Sequence, residues 1–351
     1  MILDPRPDAE IIAGIAGRDY FQHPAQGLAE SSSSPRRRLL CSSSKLRTWP
    51  GLGQPEHKRS AMLGSMKRII FLHIPKTAGT SIREMFFCGA HANEIFPAHL
   101  PQDQLRYSVA SLSTYRMFSG HLDWSGLDCL PGDRFVFTVL RNPVDRVISN
   151  FCFWKQIAES TTQEQLIREG LPHIAELKNY TTMSEYFFET RESVRRVVGY
   201  TFDNMYTHYF ALRRFCWPSD RPAVSPQQLL ENALTNLERL DFVGITEHME
   251  KTVQRLADAL DCQATPRILY LNTSRSIEGR NEVSREIDAD KGLKARIEEF
   301  TYLDTQVYEI MRHRFLSDPF CTDRRVGTMF LSSAGAADID DRRTPASTLS
   351  R

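Results

Sequence analysis

Apolar runs of strand length alternate with stretches of helical spacing over residues 67–317. Residues 69–72, Ile-Ile-Phe-Leu, form a short run with β-branched members and read as a buried strand. Pro75 ends the run, and Gly79 permits a tight turn. From Thr80 the apolar positions Ile82, Met85 and Phe86 recur at intervals of three and four, which predicts a helix to about Cys88. Residues 89–119 read as irregular. A second strand is expected at 135–140, and a helix after it, with Asn142 as cap, Pro143 at its first position and Val144, Val147, Ile148 and Phe151 on one face. Residues 155–226 are mainly helical in pattern, with breaks at Gly170, Pro172, Gly199 and Pro218. An amphipathic helix over 227–240 precedes a third strand at 242–245 and a helix over 247–260. A fourth strand is expected at 268–271, then helices over 284–300 and 303–315. This alternation implies an α/β fold, a doubly wound parallel sheet flanked by helices.

The flanks read differently. Ser31-Ser-Ser-Ser-Pro-Arg-Arg-Arg38 and Ser42-Ser-Ser-Lys45 are polar and biased, so residues 1–66 are expected to be disordered or loosely ordered. Met66 also has the look of a natural start. Residues 318–351 are expected to form a polar, flexible tail. Of the 351 residues, 41% are hydrophobic and 25% charged, and the formal net charge is +1. No overall field therefore directs the chain to a polyanion such as nucleic acid. The seven cysteines form no C-x-x-C pair, and several sit within apolar patterns. That suggests a reducing, cytoplasmic setting and no structural metal. No apolar run reaches the roughly 18 residues of a membrane span, and the start lacks a signal peptide pattern.

The stretch 68–81 carries the clearest chemistry. Strand, loop and helix N-terminus in succession offer backbone N–H donors and the positive end of a helix dipole, a setting suited to phosphate. Lys76 adds a cation, and Thr77, Thr80 and Ser81 add hydroxyls. This is not a Walker A loop, because Lys76 precedes Gly79 and the first glycine is missing. A nucleotide-dependent kinase is disfavoured on that ground, and a nucleotide-binding module without catalysis remains a second alternative. Arg141 follows directly on the 135–140 strand and so stands at the same edge of the sheet.

His73-Ile-Pro-Lys-Thr-Ala-Gly-Thr-Ser81 resembles the 5′-phosphosulfate loop of carbohydrate sulfotransferases. Arg141-Asn-Pro-Val-Asp-Arg-Val-Ile-Ser149 resembles their 3′-phosphate motif, Arg-x-Pro-x-x-Arg-x-x-Ser. Ser119-Gly-His-Leu-Asp-Trp124, Gly244-Ile-Thr-Glu247, Asn272-Thr-Ser-Arg275 and Tyr302-Leu-Asp-Thr-Gln-Val-Tyr308 resemble segments of heparan sulfate 6-O-sulfotransferases, in the same order. The resemblance spans about 67–316. It implies a P-loop-like fold, the donor 3′-phosphoadenosine 5′-phosphosulfate (PAPS), the product PAP and a carbohydrate acceptor, such as a polysaccharide, glycolipid or glycoside, with no metal.

The resemblance also implies roles. Lys76, Thr77, Ala78, Gly79, Thr80 and Ser81 would hold the 5′ end of the donor, and Arg141, Ser149, Ser274 and Arg275 would complete its site. His121 would be the general base and Lys76 would stabilise the leaving phosphate. Asp123 could orient His121, contact the acceptor or simply form a turn. Trp124 could stack on a sugar or serve as a core aromatic. His73 reads as structural. His208 stands where relatives carry arginine, a further acceptor candidate that leaves the acceptor's charge open.

Overall fold

The structure, a computed structural model, describes residues 67–262, 264–269 and 279–317. The two flanking segments, and with them Ser274 and Arg275, lie outside the described residues. Four parallel strands form the sheet, in the order β2-β1-β3-β4. Strand β1 (Arg68–Leu72) leads through the 73–78 loop into helix α1 (Gly79–Phe87). Strand β2 (Met117–Gly120) pairs with one side of β1, and β3 (Arg134–Leu140) pairs with the other. The chain thus reverses its direction of travel across the sheet between β1 and β3. In an open α/β sheet the carboxyl ends of such a pair form the natural ligand crevice.

Helix α2 (Pro143–Ser160) starts where the sequence predicts, with the Asn142 side chain accepting from the Asp145 N–H at 3.1 Å. Beyond short helical turns come α3 (Glu192–Thr201), α4 (Met205–Leu212) and α5 (Pro226–Leu237). Strand β4 (Phe242–Ile245) follows, then α6 (Met249–Ala259), α7 (Arg280–Ala289) and α8 (Lys291–Ser317). One buried core lies about the sheet, and a second joins α2 and α3 to α7 and the first half of α8. No helix among the described residues is long and apolar enough to cross a membrane.

The structure departs from the sequence reading in several places, among them two short helices, Pro101–Gln104 and Val109–Leu112, within the stretch read as irregular. Residues 117–120 form a strand rather than irregular chain. Met-Phe-Ser-Gly lacks β-branched residues, so its conformation comes from pairing with β1 over Ile69–Leu72. Ile268 and Leu269 are not in a strand, and the remainder of that predicted element lies outside the described residues. Gly199 lies inside α3 and breaks nothing. The expected gap between the last two helices falls at Asp290, whose carboxylate accepts from the N–H groups of Gly292 (2.9 Å) and Leu293 (3.0 Å) and so opens α8. At 300–304 the helix runs on. There the side chain of Asn204 accepts from Leu303 N (2.8 Å) and Asp304 N (3.3 Å), and its own N–H donates to Phe300 O at 2.7 Å.

Candidate active site

The site is built at the carboxyl ends of β1, β2 and β3. Lys76 and Ala78 take left-handed backbone conformations, with φ of 69° and 64°, and this curls the 73–78 loop onto the start of α1. Ala78 carries no acceptor and leaves the first turn of α1 without a side-chain cap. Gly79, Thr80 and Ser81 occupy that turn. Such an end presents N–H groups and a positive dipole toward any anion in the crevice. Thr77 departs from expectation: it is buried, and its hydroxyl donates to Ile74 O at 2.9 Å, so it braces the loop instead of facing a ligand.

Gly79 is required by a close approach. A Cβ there would lie 1.9 Å from Nε2 of His73, whose ring stacks on Phe71, so the imidazole that lies over the loop would have to move. His73 in turn supports His121. The two rings lie 4.8 Å apart, and Nδ1 of His121 donates to the His73 carbonyl at 2.6 Å. With the proton fixed on Nδ1, the lone pair of a neutral His121 is on Nε2. Burial pushes the His121 pKa down to about 4, and burial together with His121 lowers that of His73. Both imidazoles are therefore neutral at neutral pH. Gly120 permits the tight passage before His121, since a Cβ there would sit 2.7 Å from the His99 carbonyl oxygen.

Lys76 and Arg141 meet across the β1–β3 boundary. Arg141 Nη1 donates to the Lys76 carbonyl at 3.2 Å, and the Lys76 ammonium rests 3.8 Å from the ring centroid of Phe153 on α2. Burial, then the charge of Arg141, lowers the Lys76 pKa to about 8. Ser149 is buried one turn before Phe153. Arg280, at the start of α7, pairs with Asp145 and adds a third cation next to Arg141. Its Nη1 is buried and has no hydrogen-bond partner among the described residues. Sequence reasoning missed Arg280, because it lies outside every motif and reaches the site through a tertiary contact with α2.

Three acceptor-side expectations are corrected. The Asp123 carboxylate accepts from Ser125 Oγ (2.6 Å) and Gly126 N (3.3 Å), so it forms a turn, and the His73 carbonyl orients His121 in its stead. Trp124 is a core aromatic, buried beneath the Arg213 guanidinium at 4.5 Å. It lines a cavity of about 720 Å³ with Lys67, Arg134 and Phe135, near the amino ends of β1 and β3 and away from the crevice. His208 lies off the face of α4 that sends Tyr206 to Arg141 and Tyr209 to Leu122. Its charged neighbours are Arg221 and Asp203, which pair at 2.6 Å.

Comparison with known proteins accords with this geometry. A model described as the sulfotransferase family matches residues 61–310. Heparan-sulfate 6-O-sulfotransferase 3 of Mus musculus is 23% identical over 288 residues, covering 70% of this chain and 57% of the relative. Heparan-sulfate 6-O-sulfotransferase 2 of Danio rerio is 24% identical over 281 residues, covering 71% and 58%. Heparan-sulfate 6-O-sulfotransferase 1 of Homo sapiens is 25% identical over 294 residues, covering 70% and 65%. The chain thus spans less than two thirds of the length of these relatives.

Proposed function

The chain belongs to the sulfotransferase family, and on that premise we propose that it moves a sulfuryl group from PAPS to a hydroxyl of a carbohydrate acceptor. The observation that carries this reading is the convergence of Lys76, Arg141 and Arg280 on the crevice beside an uncapped helix start, with Nε2 of His121 left as a base. The buried Nη1 of Arg280, which has no partner among the described residues, fits an anionic ligand, since an unmatched buried donor is costly to leave empty. A donor with two anionic ends suits these groups. Lys76 and the first turn of α1 take the 5′-phosphosulfate, and Arg141, with its planar fork of donors, takes the 3′-phosphate. Ser149, on the same helix as the motif's second arginine, contributes from α2.

The reaction is an in-line displacement at sulfur. As the acceptor oxygen bonds to sulfur, its proton passes to Nε2 of His121. The bond from sulfur to the bridging oxygen breaks, and PAP departs with the electron pair. Charge growing on that bridging oxygen is met by the Lys76 ammonium. The acceptor is proposed as a polysaccharide, glycolipid or glycoside, by analogy with the carbohydrate named for the relatives.

The decisive experiment presents the protein with PAPS and a panel of glycans and measures PAP release, alongside calorimetry with PAP in EDTA. Sub-millimolar PAP affinity in EDTA and glycan-dependent PAP release are expected. Failure to bind PAP would sink the proposal. Retention of PAP with no release on any glycan would favour a binding module.

The two lowered pKa values set a pH dependence. His121 works as its neutral form, so kcat/KM should fall as pH drops through about 4. Lys76 works as its ammonium, so kcat/KM should fall as pH rises through about 8. Because kcat/KM reports the free enzyme, a bell with these limbs is expected. An acid limb near 6.5, the ordinary histidine value, would contradict the burial of His121.

A further inference from the structure

Residues 140–142 leave the sheet at the end of β3, where ladder hydrogen bonds give out. Side chains from two other segments hold them, and a third braces one of those side chains. The Thr246 hydroxyl donates to Leu140 O at 3.0 Å, and Asn142 N donates to Glu247 Oε1 at 2.8 Å. The other carboxylate oxygen of Glu247 accepts from the Tyr308 hydroxyl at 2.9 Å. Between these two, the Tyr206 hydroxyl grips the Arg141 backbone on both sides. It donates to Arg141 O at 2.9 Å and accepts from Arg141 N at 3.2 Å.

Tyr206 is itself anchored from behind. Its backbone N–H donates to the buried carboxylate of Asp304 at 3.0 Å, and the N–H and hydroxyl of Thr207 donate to the same carboxylate at 2.8 and 2.9 Å. Asp304 thereby caps α4, while Asn204, the residue in the cap position, turns its side chain to α8. The Tyr206 ring is fully buried, with the guanidinium of Arg146 at 5.5 Å from its centroid. Arg146 is held in turn by the Thr201 carbonyl through both terminal nitrogens, at 3.3 Å each. Tyr206 is thus held at its backbone by α8 and on its ring by Arg146 of α2, which α3 braces, so the hydroxyl is a well-anchored reference point for the loop. Burial raises the phenol pKa, and the group remains protonated and able to donate.

We propose that Tyr206 is a positioning residue for donor binding: by clamping the Arg141 peptide from both sides, it sets the direction in which the Arg141 side chain meets the donor phosphate. The proposal rests on the reading of Arg141 as a donor ligand. It distinguishes Tyr206 from residues that merely fill the core, because its effect must pass through Arg141.

A double-mutant cycle on the full chain tests it, with PAP affinity by calorimetry and steady-state kinetics for PAPS. Tyr206→Phe, which keeps the ring and removes the clamp, is expected to weaken PAP binding and raise KM for PAPS by about tenfold, with kcat within about twofold of wild type. In an Arg141→Ala background the same change should add little. Arg141→Ala that weakens PAP binding while Tyr206→Phe leaves it within about twofold of wild type would overturn the proposal and leave the donor site standing. So would full additivity in the double variant. If Arg141→Ala leaves PAP affinity unchanged, the assignment of Arg141 fails and the proposal fails with it. Should Tyr206→Phe not fold, Thr207→Val removes one of the three bonds that pin the same helix end. It is then expected to raise KM for PAPS about two- to threefold at constant kcat, and an unchanged KM would overturn the clamp.

Discussion

His121→Ala should lower kcat by roughly 10²–10⁴-fold while PAP affinity stays within a few-fold of wild type, the usual range for loss of a general base. A sugar hydroxyl is a poor nucleophile until its proton leaves, and the structure gives His121 what that task needs. Nδ1–H is committed to the His73 carbonyl, Nε2 is the basic nitrogen, and burial keeps the ring neutral down to about pH 4. Neither motif proposed to bind the donor contains His121, which follows β2, on the far side of β1 from Arg141. Loss of its ring should therefore spare the nucleotide. The measurement is kcat at saturating PAPS beside PAP affinity by calorimetry. Turnover within a few-fold of wild type would remove His121 from the mechanism. Loss of PAP binding would instead mean that the ring props up His73 and the turn at Gly79.

Lys76→Ala should cost roughly 10²–10³-fold in kcat, comparable with removing a donor that stabilises charge formed only in the transition state. The Lys76 ammonium is held over the face of Phe153 and is largely buried, so its charge acts in a medium of low dielectric. Lys76→Arg is expected to restore little. The guanidinium is a wide planar fork, and the loop at Lys76 already bends through a left-handed residue packed against Arg141. Single-turnover rates at saturating PAPS separate chemistry from binding. A Lys76→Ala variant with normal single-turnover rate and raised KM would reduce Lys76 to a donor anchor.

Local signals carried β1, α1, β3 and α2 into the sequence reading. An apolar run, Pro75 and Gly79 mark the first unit, and Asn142 with Pro143 marks the second. Lys76, His121 and Arg141 come together at one end of the sheet as expected. Other features were not legible because no local pattern encodes them. Strand β2 owes its form to its partner. Arg280 and Tyr206 act across 135 and 65 positions of sequence, respectively. The roles of Asp123 and Trp124 depended on what stood nearby: Ser125 and Gly126 claimed the carboxylate, and Arg213 covered the indole. Thr77 looked like a ligand hydroxyl because the sequence could not reveal that Ile74 O lay within its reach.

The strand order has a consequence for how the molecule is assembled. Lys76 and Arg141 border adjacent strands, but the chain between them lays β2 on the opposite side of β1 and returns. Pairing of β1 with β3 is thus a non-local event whose loop-closure entropy is met late relative to helix formation. A nucleotide bridging the two loops, as proposed, would grip segments that become neighbours only once β1 and β3 have paired. It would have nothing comparable to hold in the unfolded chain, so it would deepen the native basin by mass action and retard escape from that basin without guiding the chain into it.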